Sequence, residues 1–276
     1  MLSLKSMVDV EIEKGYNENT APAKVCQDIV LKAISMGPLH HNITVKGGVV
    51  MRSKTGNIRR ATQDLDIDFL RYPLSDAAID DFVAKMNCLD GIRIERFGDI
   101  EELKQQEYKG RRIRIKIQDS SGYELESKID LGVHTKLDVS QEEYCFDISF
   151  DNGSVSLLVN SNEQMLVEKL RSLLKFGALS TRYKDLFDIY YLSKHVNHKK
   201  LHVCLDLYIF GDKQMREHNV NDVVKRVRDI FSDKLYIERL SASDKNWTGE
   251  NVSTITKSIE NFLKLLLSQQ SRLQRG

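Results

Sequence analysis

The segment DLDIDF, residues 64–69, places a carboxylate at every second position. In a β-strand successive side chains point to opposite faces, so Asp64, Asp66 and Asp68 would share one face and the intervening Leu, Ile and Phe the other. Like charges at this spacing repel one another, and Asp is disfavoured in strands. The pattern therefore indicates a strand whose acidic face meets a cation, and a divalent metal ion is the expected one.

A glycine pair, Gly47 and Gly48, precedes the acidic segment. It follows a predicted strand, NITVK, and precedes a short predicted helix, VVMRSK. Glycine lets backbone N–H groups approach a phosphate closely, and a helix N-terminus favours an anion. Since the 15 residues between Gly48 and Asp64 suffice for the chain to return beside the pair, we expect a triphosphate site between glycine amides and metal-bound carboxylates.

A third carboxylate is expected, because two metal ions that orient the attacking and leaving oxygens need several acidic ligands. SKIDLGV supplies Asp130 in a later predicted strand. Two questions stay open on the residues alone. Asp66 and Asp68 would serve as the metal pair as well as Asp64 and Asp66, and all of these acids are also compatible with a solvated edge strand or a surface turn.

The order of predicted elements indicates an α+β fold with a mixed sheet. Helices are predicted at 22–36 and 75–89, and short strands separated by polar turns continue to about residue 159 as an antiparallel extension of the sheet. A Ser-capped amphipathic helix then starts a region without strands. Three or more further helices are predicted, around 183–196, 219–240 and 251–268. We expect one domain over 1–159, with an N-terminal helical segment, and a helical domain over 160–276.

The charge balance excludes a global attraction to polyanions, since 41 Lys and Arg face 40 Asp and Glu. An RNA partner would need a local basic site. GRRIRIKIQ places Arg112, Arg114 and Lys116 on one strand face. A half-buried strand with a wet basic side is the simpler interpretation, and the stripe is also the best local candidate for RNA phosphates.

The cysteines Cys26, Cys88, Cys145 and Cys204 lack metal-ligand spacing, which favours reduced thiols that mostly lie in the core. No apolar run is long enough for a membrane span. We therefore expect a cytoplasmic protein.

Three segments, KGG…RRATQDLDIDF, KIDLGV and VEKLRSLLKFGALSTRYKDLFDIYYL, resemble in this order the motifs of the AbiEii nucleotidyltransferase family, the toxin half of bacterial abortive-infection toxin–antitoxin systems. Its relatives include the mycobacterial MenT toxins. The resemblance covers about residues 44 to 195. It implies a DNA-polymerase-β-like nucleotidyltransferase fold followed by a helical region, with Mg²⁺ or Mn²⁺ and NTP bound. It further implies NMP transfer to an acceptor hydroxyl, the tRNA 3′ end, and no stable complex with an antitoxin.

The resemblance also implies roles for individual residues. The metal ligands would be Asp64, Asp66 and Asp130, the last of which would also help to deprotonate the acceptor. The nucleotide would be bound by Gly47, Gly48, Thr62, Lys169, Arg171, Arg182 and Asp188, and Asp185 would join Lys169 in catalysis. Two departures concern the nucleotide: Val49 stands where the family often has Thr, and Lys184 stands where it has Arg.

Other functions remain compatible with the same residues. The acceptor hydroxyl could belong to a protein or to a small molecule such as an aminoglycoside, or the chain could bind nucleotide or RNA without turnover. From spacing alone, Lys169, Asp185 and Asp188 are also compatible with ion pairs on a helix surface.

Overall fold

The computed structural model describes residues 3–103, 110–136 and 138–273. It divides into two compact units, Met1–Asn160 and Ser161–Gly276. The first unit holds the helices α1 (Leu4–Glu13), α2 (Thr20–Met36), α3 (Gly47–Thr55) and α4 (Asp76–Lys85) and the strands β1 (Ile43–Lys46), β2 (Asp64–Phe69), β3 (Ile92–Leu103), β4 (Gly110–Asp119), β5 (Glu124–Val133), β6 (Glu142–Asp147) and β7 (Ser154–Val159).

The seven strands form one sheet in the order β3-β4-β5-β2-β1-β7-β6. The pairs β2–β5 and β1–β7 are parallel, and the other neighbouring pairs are antiparallel. The sheet is therefore mixed, and with the helices it gives the α+β class that the sequence predicts. The acidic strand β2 lies at the centre of the sheet, where each neighbour contributes to the surroundings of its carboxylates.

The alternation predicted for the strands is present. Leu65, Ile67 and Phe69 of β2 are at most 1% exposed, and β4 buries Ile113, Ile115 and Ile117 completely. Each such side chain contributes about 1.5–3 kcal/mol when fully buried. A shift of either strand by one residue would move these groups into water, so the apolar face fixes the register of the acidic face.

The second unit is helical and consists of α5 (Asn162–Phe176), α6 (Tyr183–Leu192), α7 (His198–Leu205), α8 (Val220–Ser232), α9 (Lys234–Ser241) and α10 (Val252–Leu273). Ser161 caps α5 by accepting a hydrogen bond from the backbone N–H of Gln164 at 3.2 Å, as the sequence predicts. Among the described residues, no helix is long and apolar enough to cross a membrane.

Two expectations from the sequence are wrong, one about a helix and one about the cysteines. The predicted helix 219–240 is two helices, because Asp233 has an extended backbone (ψ 111°) and its side chain caps the second helix at the N–H of Tyr236. Only two of the four cysteines lie in the core: Cys26 and Cys204 are buried, whereas Cys88 and Cys145 are exposed. Burial raises the pKa of both Cys26 and Cys204 to about 12.

Candidate active site

The glycine pair begins helix α3, directly after the last residue of β1. Gly47 has φ +66°, a conformation that side-chain-bearing residues rarely adopt. A Cβ on Gly47 would overlap the carboxylate of Asp66, with only 2.7 Å to its Cγ, and a Cβ on Gly48 would lie 2.7 Å from both Cβ and Oγ1 of Thr62. Both positions therefore need glycine, since the start of the helix packs directly against these two side chains.

Four charged residues form a row across the sheet. Asp66 of β2 lies opposite Lys46 of β1 on one side and opposite Asp130 of β5 on the other. Asp130 in turn lies opposite Arg112 of β4. Two carboxylates that face each other directly are unfavourable on their own, so the flanking cations are what make this row compatible with a folded sheet.

Arg112 grips the third carboxylate with two hydrogen bonds. Its Nε donates to Oδ1 of Asp130 at 2.7 Å, and its Nη2 donates to Oδ2 at 2.9 Å. The same Nη2 lies 3.5 Å from Oδ2 of Asp64. These hydrogen bonds raise the pKa of Arg112 above its usual value. The guanidinium thus stands as counter-ion to two of the three predicted metal ligands.

Asp68 is not the solvent-facing residue that the sequence leaves open, because it is only 4% exposed. Its Oδ1 lies 2.6 Å from Nζ of Lys46. A Cβ added to Gly132, its partner on β5, would overlap the Asp68 carboxylate. Asp68 is therefore a buried ion-pair partner at the end of the acidic face, which favours Asp64 and Asp66 over Asp66 and Asp68 as the pair that a metal could reach.

The carboxylates of the acidic face have the chemistry of metal ligands but are not arranged as a metal site. In the part of the chain that the structure describes, no group of three His, Cys, Asp or Glu side chains is arranged to hold a metal ion. The donors themselves are the hard oxygen ligands that Mg²⁺ prefers, and Asp66 and Asp130 face each other on neighbouring strands. In the structure both carboxylate oxygens of Asp130 accept hydrogen bonds from Arg112.

Thr62 and Arg60 precede the acidic strand, although the resemblance would place both on the same strand face as Asp64 and Asp66. β2 begins at Asp64, and Arg60 ends a short 3-10 turn over Ile58–Arg60. The backbone oxygen of Thr62 accepts a 3.0 Å hydrogen bond from Nε2 of Gln27 on α2. The hydrogen bond from Gln27 thus holds the backbone of Thr62 in place, and the Thr62 side chain packs against Gly48.

Gln27 belongs to a buried polar group that sequence reasoning missed. Its Oε1 accepts a hydrogen bond from Nη1 of Arg52 near the end of α3, and Nη2 of Arg52 lies 3.8 Å from Oδ1 of Asp28. Burial lowers the pKa of Arg52, while the charge of Asp28 raises it. The apolar periodicity of α2 conceals these contacts, because the polar side chains are buried too.

In the second unit, Lys169 of α5 has two carboxylate partners on α6. Its Nζ lies 2.8 Å from Oδ1 of Asp185 and 2.8 Å from Oδ2 of Asp188. Asp188 is fully buried, and Nε1 of Trp247 donates to its Oδ1 at 3.0 Å. The three residues singled out by the resemblance are therefore in direct contact, and Trp247, to which the sequence assigns no role, joins them. An isolated tryptophan in a polar loop gave no signal for this contact.

Two arginines predicted to bind phosphate have partners of their own. Arg171 is paired with Asp212, and the guanidinium of Arg182 lies 5.9 Å from the ring centre of Phe176. Val49 is completely buried, so its side chain belongs to the core rather than to a phosphate contact.

The geometry of the first unit suits phosphate chemistry. The N-terminus of α3 offers backbone N–H groups and a favourable dipole to an anion. The Asp66 carboxylate packs against the first residue of that helix, and Asp130 lies opposite it on β5. An anion at the helix start and a cation at the carboxylates would therefore be neighbours.

A family model described as "Nucleotidyl transferase AbiEii toxin, Type IV TA system" matches residues 29–264 of the chain. The match includes the glycine pair, the acidic strand, Asp130 and the Lys169 cluster, and it extends beyond the motifs into the last helices. A search of curated protein sequences found no match.

Proposed function

We propose, because the chain belongs to the AbiEii family of nucleotidyltransferase toxins of type IV toxin–antitoxin systems, that it transfers NMP from an NTP to the hydroxyl at the 3′ end of a tRNA. Pyrophosphate is the second product. Blocking the tRNA end would stop aminoacylation, which makes growth arrest the expected effect in a bacterial cytoplasm. As in the resemblance, we expect no stable complex with an antitoxin.

The observation that carries this proposal is the contact between the start of α3 and the carboxylate strand. Gly47 leaves no room for a side chain beside Asp66, so nothing but backbone separates the helix N-terminus from the acidic face. This arrangement supports a role for the amides of Gly47 and Gly48 in holding the phosphates of NTP.

Asp64, Asp66 and Asp130 are the proposed ligands of Mg²⁺ or Mn²⁺, with Asp130 released from Arg112. When bound, the metal would supply positive charge to the phosphates and orient the attacking and leaving oxygens. Asp130, the carboxylate on the neighbouring strand, is also the proposed acceptor of the proton from the incoming hydroxyl. Thr62, fixed by Gln27, would hold the glycine segment in place.

The resemblance is what supports a role for the second unit in nucleotide binding. Lys169, Asp185 and Asp188 form one ion-pair cluster, with Lys169 as the cation proposed for the leaving phosphates. Arg171 and Arg182 are secondary candidates, since the first already pairs with Asp212.

The basic stripe of β4 gives little support to an RNA acceptor. Besides Arg112, whose partner is Asp130, Arg114 pairs with Glu101 at 2.9 Å and Lys116 pairs with Glu124 at 2.9 Å. With each cation neutralised, the stripe offers no excess charge for phosphates. This observation favours keeping a second candidate, in which the acceptor hydroxyl belongs to a protein or a small molecule.

The deciding experiment incubates the purified protein with Mg²⁺, total RNA, total protein and each α-labelled NTP in turn. Label in tRNA, absent with Asp66→Asn, is the expected result, since that variant keeps the shape of the side chain but loses its charge. Label in protein alone would transfer the proposal to the second candidate. Bound nucleotide without any label or pyrophosphate would contradict both and leave a binding protein.

The matched control is Asp99→Asn, which neutralises an aspartate at an exposed position of the edge strand β3. It should label the acceptor as the wild type does. Circular dichroism and urea unfolding of Asp66→Asn should show that the loss of transfer is not a loss of fold.

A further inference from the structure

The Arg112 side chain is placed to compete with a metal ion. It makes two hydrogen bonds to Asp130, at 2.7 and 2.9 Å, and its Nη2 also lies 3.5 Å from Asp64. Planar guanidinium binds a carboxylate in this two-point manner more strongly than a single ammonium does. While this pairing lasts, both oxygens of Asp130 are engaged.

The neighbouring ion pair of Lys46 and Asp68 on the same face is more buried than the pairing of Arg112. The side chains of Lys46 and Asp68 are 16% and 5% exposed, and Gly132 packs against the carboxylate. The Arg112 side chain is more exposed, at 27%, and the side chain of its second partner, Asp64, is 41% exposed. The Arg112 side chain is therefore more accessible to solvent than that of Lys46.

We propose that Arg112 is an internal counter-ion that competes with the divalent cation for Asp130 and Asp64, so that it sets the metal affinity of the acidic face. This inference rests on the proposed function. In the absence of metal, Arg112 offsets the repulsion between Asp66 and Asp130 and holds the third carboxylate in position. Metal binding must displace the guanidinium, and the cost of that displacement weakens the apparent affinity.

The inference is tested with Mn²⁺, whose free form is measured by electron paramagnetic resonance during a titration of the whole chain. Arg112→Gln removes the competing charge and should bind Mn²⁺ at least about tenfold more tightly than the wild type, as expected from losing a charge-assisted two-point contact. Arg112→Lys keeps the charge without the two-point geometry and should fall between them. If Arg112→Gln folds poorly, the comparison of Arg112→Lys with the wild type still tests the inference.

The matched control is Arg114→Gln, two residues along the same face of β4, where the partner is the exposed Glu101. It removes the same charge from the same strand and should leave the affinity within about twofold of the wild type, since water and salt screen this exposed ion pair. A double variant, Asp64→Asn with Asp66→Asn, gives the non-specific background.

A second readout needs no metal titration. Without metal, Arg112→Gln should unfold at a lower temperature than the wild type, because the facing carboxylates lose their counter-ion, and saturating Mg²⁺ should raise its melting temperature by more than that of the wild type. Equal Mn²⁺ affinities for wild type and Arg112→Gln would overturn the inference and leave the proposed function intact. Binding no stronger than that of the double variant in every protein would overturn the metal site and the inference together.

Discussion

Trp247 donates a hydrogen bond from Nε1 to Oδ1 of Asp188 at 3.0 Å, while Oδ2 of the same carboxylate lies 2.8 Å from Nζ of Lys169. Asp188 is fully buried and Trp247 is 5% exposed. A buried carboxylate is expensive unless its oxygens have partners. Here Oδ2 has the Lys169 cation as its partner and Oδ1 has a neutral donor. The tryptophan therefore offsets part of the free-energy cost of burying the carboxylate.

Replacing Trp247 by Phe should destabilise the protein by about 2 kcal/mol. The ring is largely retained, but Oδ1 of Asp188 loses its donor inside the protein. Urea unfolding followed by circular dichroism measures the difference. Asp188→Asn tests the reason, because its amide oxygen still accepts from Trp247; the effect of Trp247→Phe should persist in that background. An unchanged midpoint for Trp247→Phe would show that the hydrogen bond contributes nothing.

Replacing Lys169 by Met should cost about 3 kcal/mol, since it leaves Asp185 and Asp188 without the cation that offsets their burial. The comparison is Lys199→Met, which removes an exposed lysine from α7 and should change the free energy of unfolding by less than about 0.5 kcal/mol. If the two variants were equally stable, Lys169 would have no structural part, and any loss of transfer would belong to catalysis alone.

Gly47→Ala should abolish most transfer activity. The new Cβ would overlap Asp66, so the carboxylate must move, and displacements of about 1 Å at a reacting group cost about a hundredfold in rate. Gly56→Ala is the control, because Gly56 has a similar φ of +60° but open space around the added carbon. Both variants place an alanine at a positive φ, which costs about 1–2 kcal/mol of backbone strain in each. Equal activities would mean that the contact with Asp66 is unimportant.

Asp119 should contribute stability that disappears in acid. Burial raises its pKa, but hydrogen bonds from Ser121 and from the N–H groups of Leu4 and Tyr123 outweigh burial, and the net pKa is lowered. A carboxyl whose pKa is lower in the folded chain stabilises it above the pKa of the unfolded chain, and this contribution is lost as the pH falls through the folded value.

The wild type should therefore exceed Asp119→Asn in stability by about 1 kcal/mol at neutral pH. The gap should stay constant down to about pH 5 and shrink below about pH 4, near the ordinary pKa of Asp. Guanidinium unfolding at a series of pH values gives the curve. A gap that grows in acid would contradict the assigned direction.

Thiol labelling should divide the cysteines into two pairs. Cys88 and Cys145 are exposed and should react with a maleimide in the folded protein. Cys26 and Cys204, with pKa values of about 12, should react only after unfolding. Mass spectrometry of labelled peptides distinguishes the four.

The sequence predicts best where one periodicity decides the structure. The alternation in DLDIDF locates β2 and its two faces, and the Ser161 cap locates the start of α5. It predicts less where the local signal is weak: α7 has only eight residues, three of them buried, and Asp233 divides α8 from α9 without Gly or Pro.

Side-chain pairing is the part of the candidate site that the sequence could not supply. Arg112 meets Asp130 only because β4 and β5 pair in one register, and Lys46 takes Asp68 although it lies opposite Asp66. Counting residues gives the face on which a charge lies but not the partner it finds there. The charges on the acidic face and their need for a cation were foreseeable, whereas the identity of the cations, Lys46 and Arg112, was not.

The strand order of the sheet has a consequence during synthesis. β1, which leads into the glycine pair, has β7 as its parallel neighbour. Thr44 of β1 can pair with Leu158 of β7 only after Leu158 has been synthesised. β5, which brings Asp130, also precedes β7 in the chain. A growing polypeptide therefore carries Asp64, Asp66 and Asp130 before β7, the strand that pairs with β1, has been synthesised. The sheet around the acidic strand can therefore be completed only after translation has passed Val159, the last residue of β7.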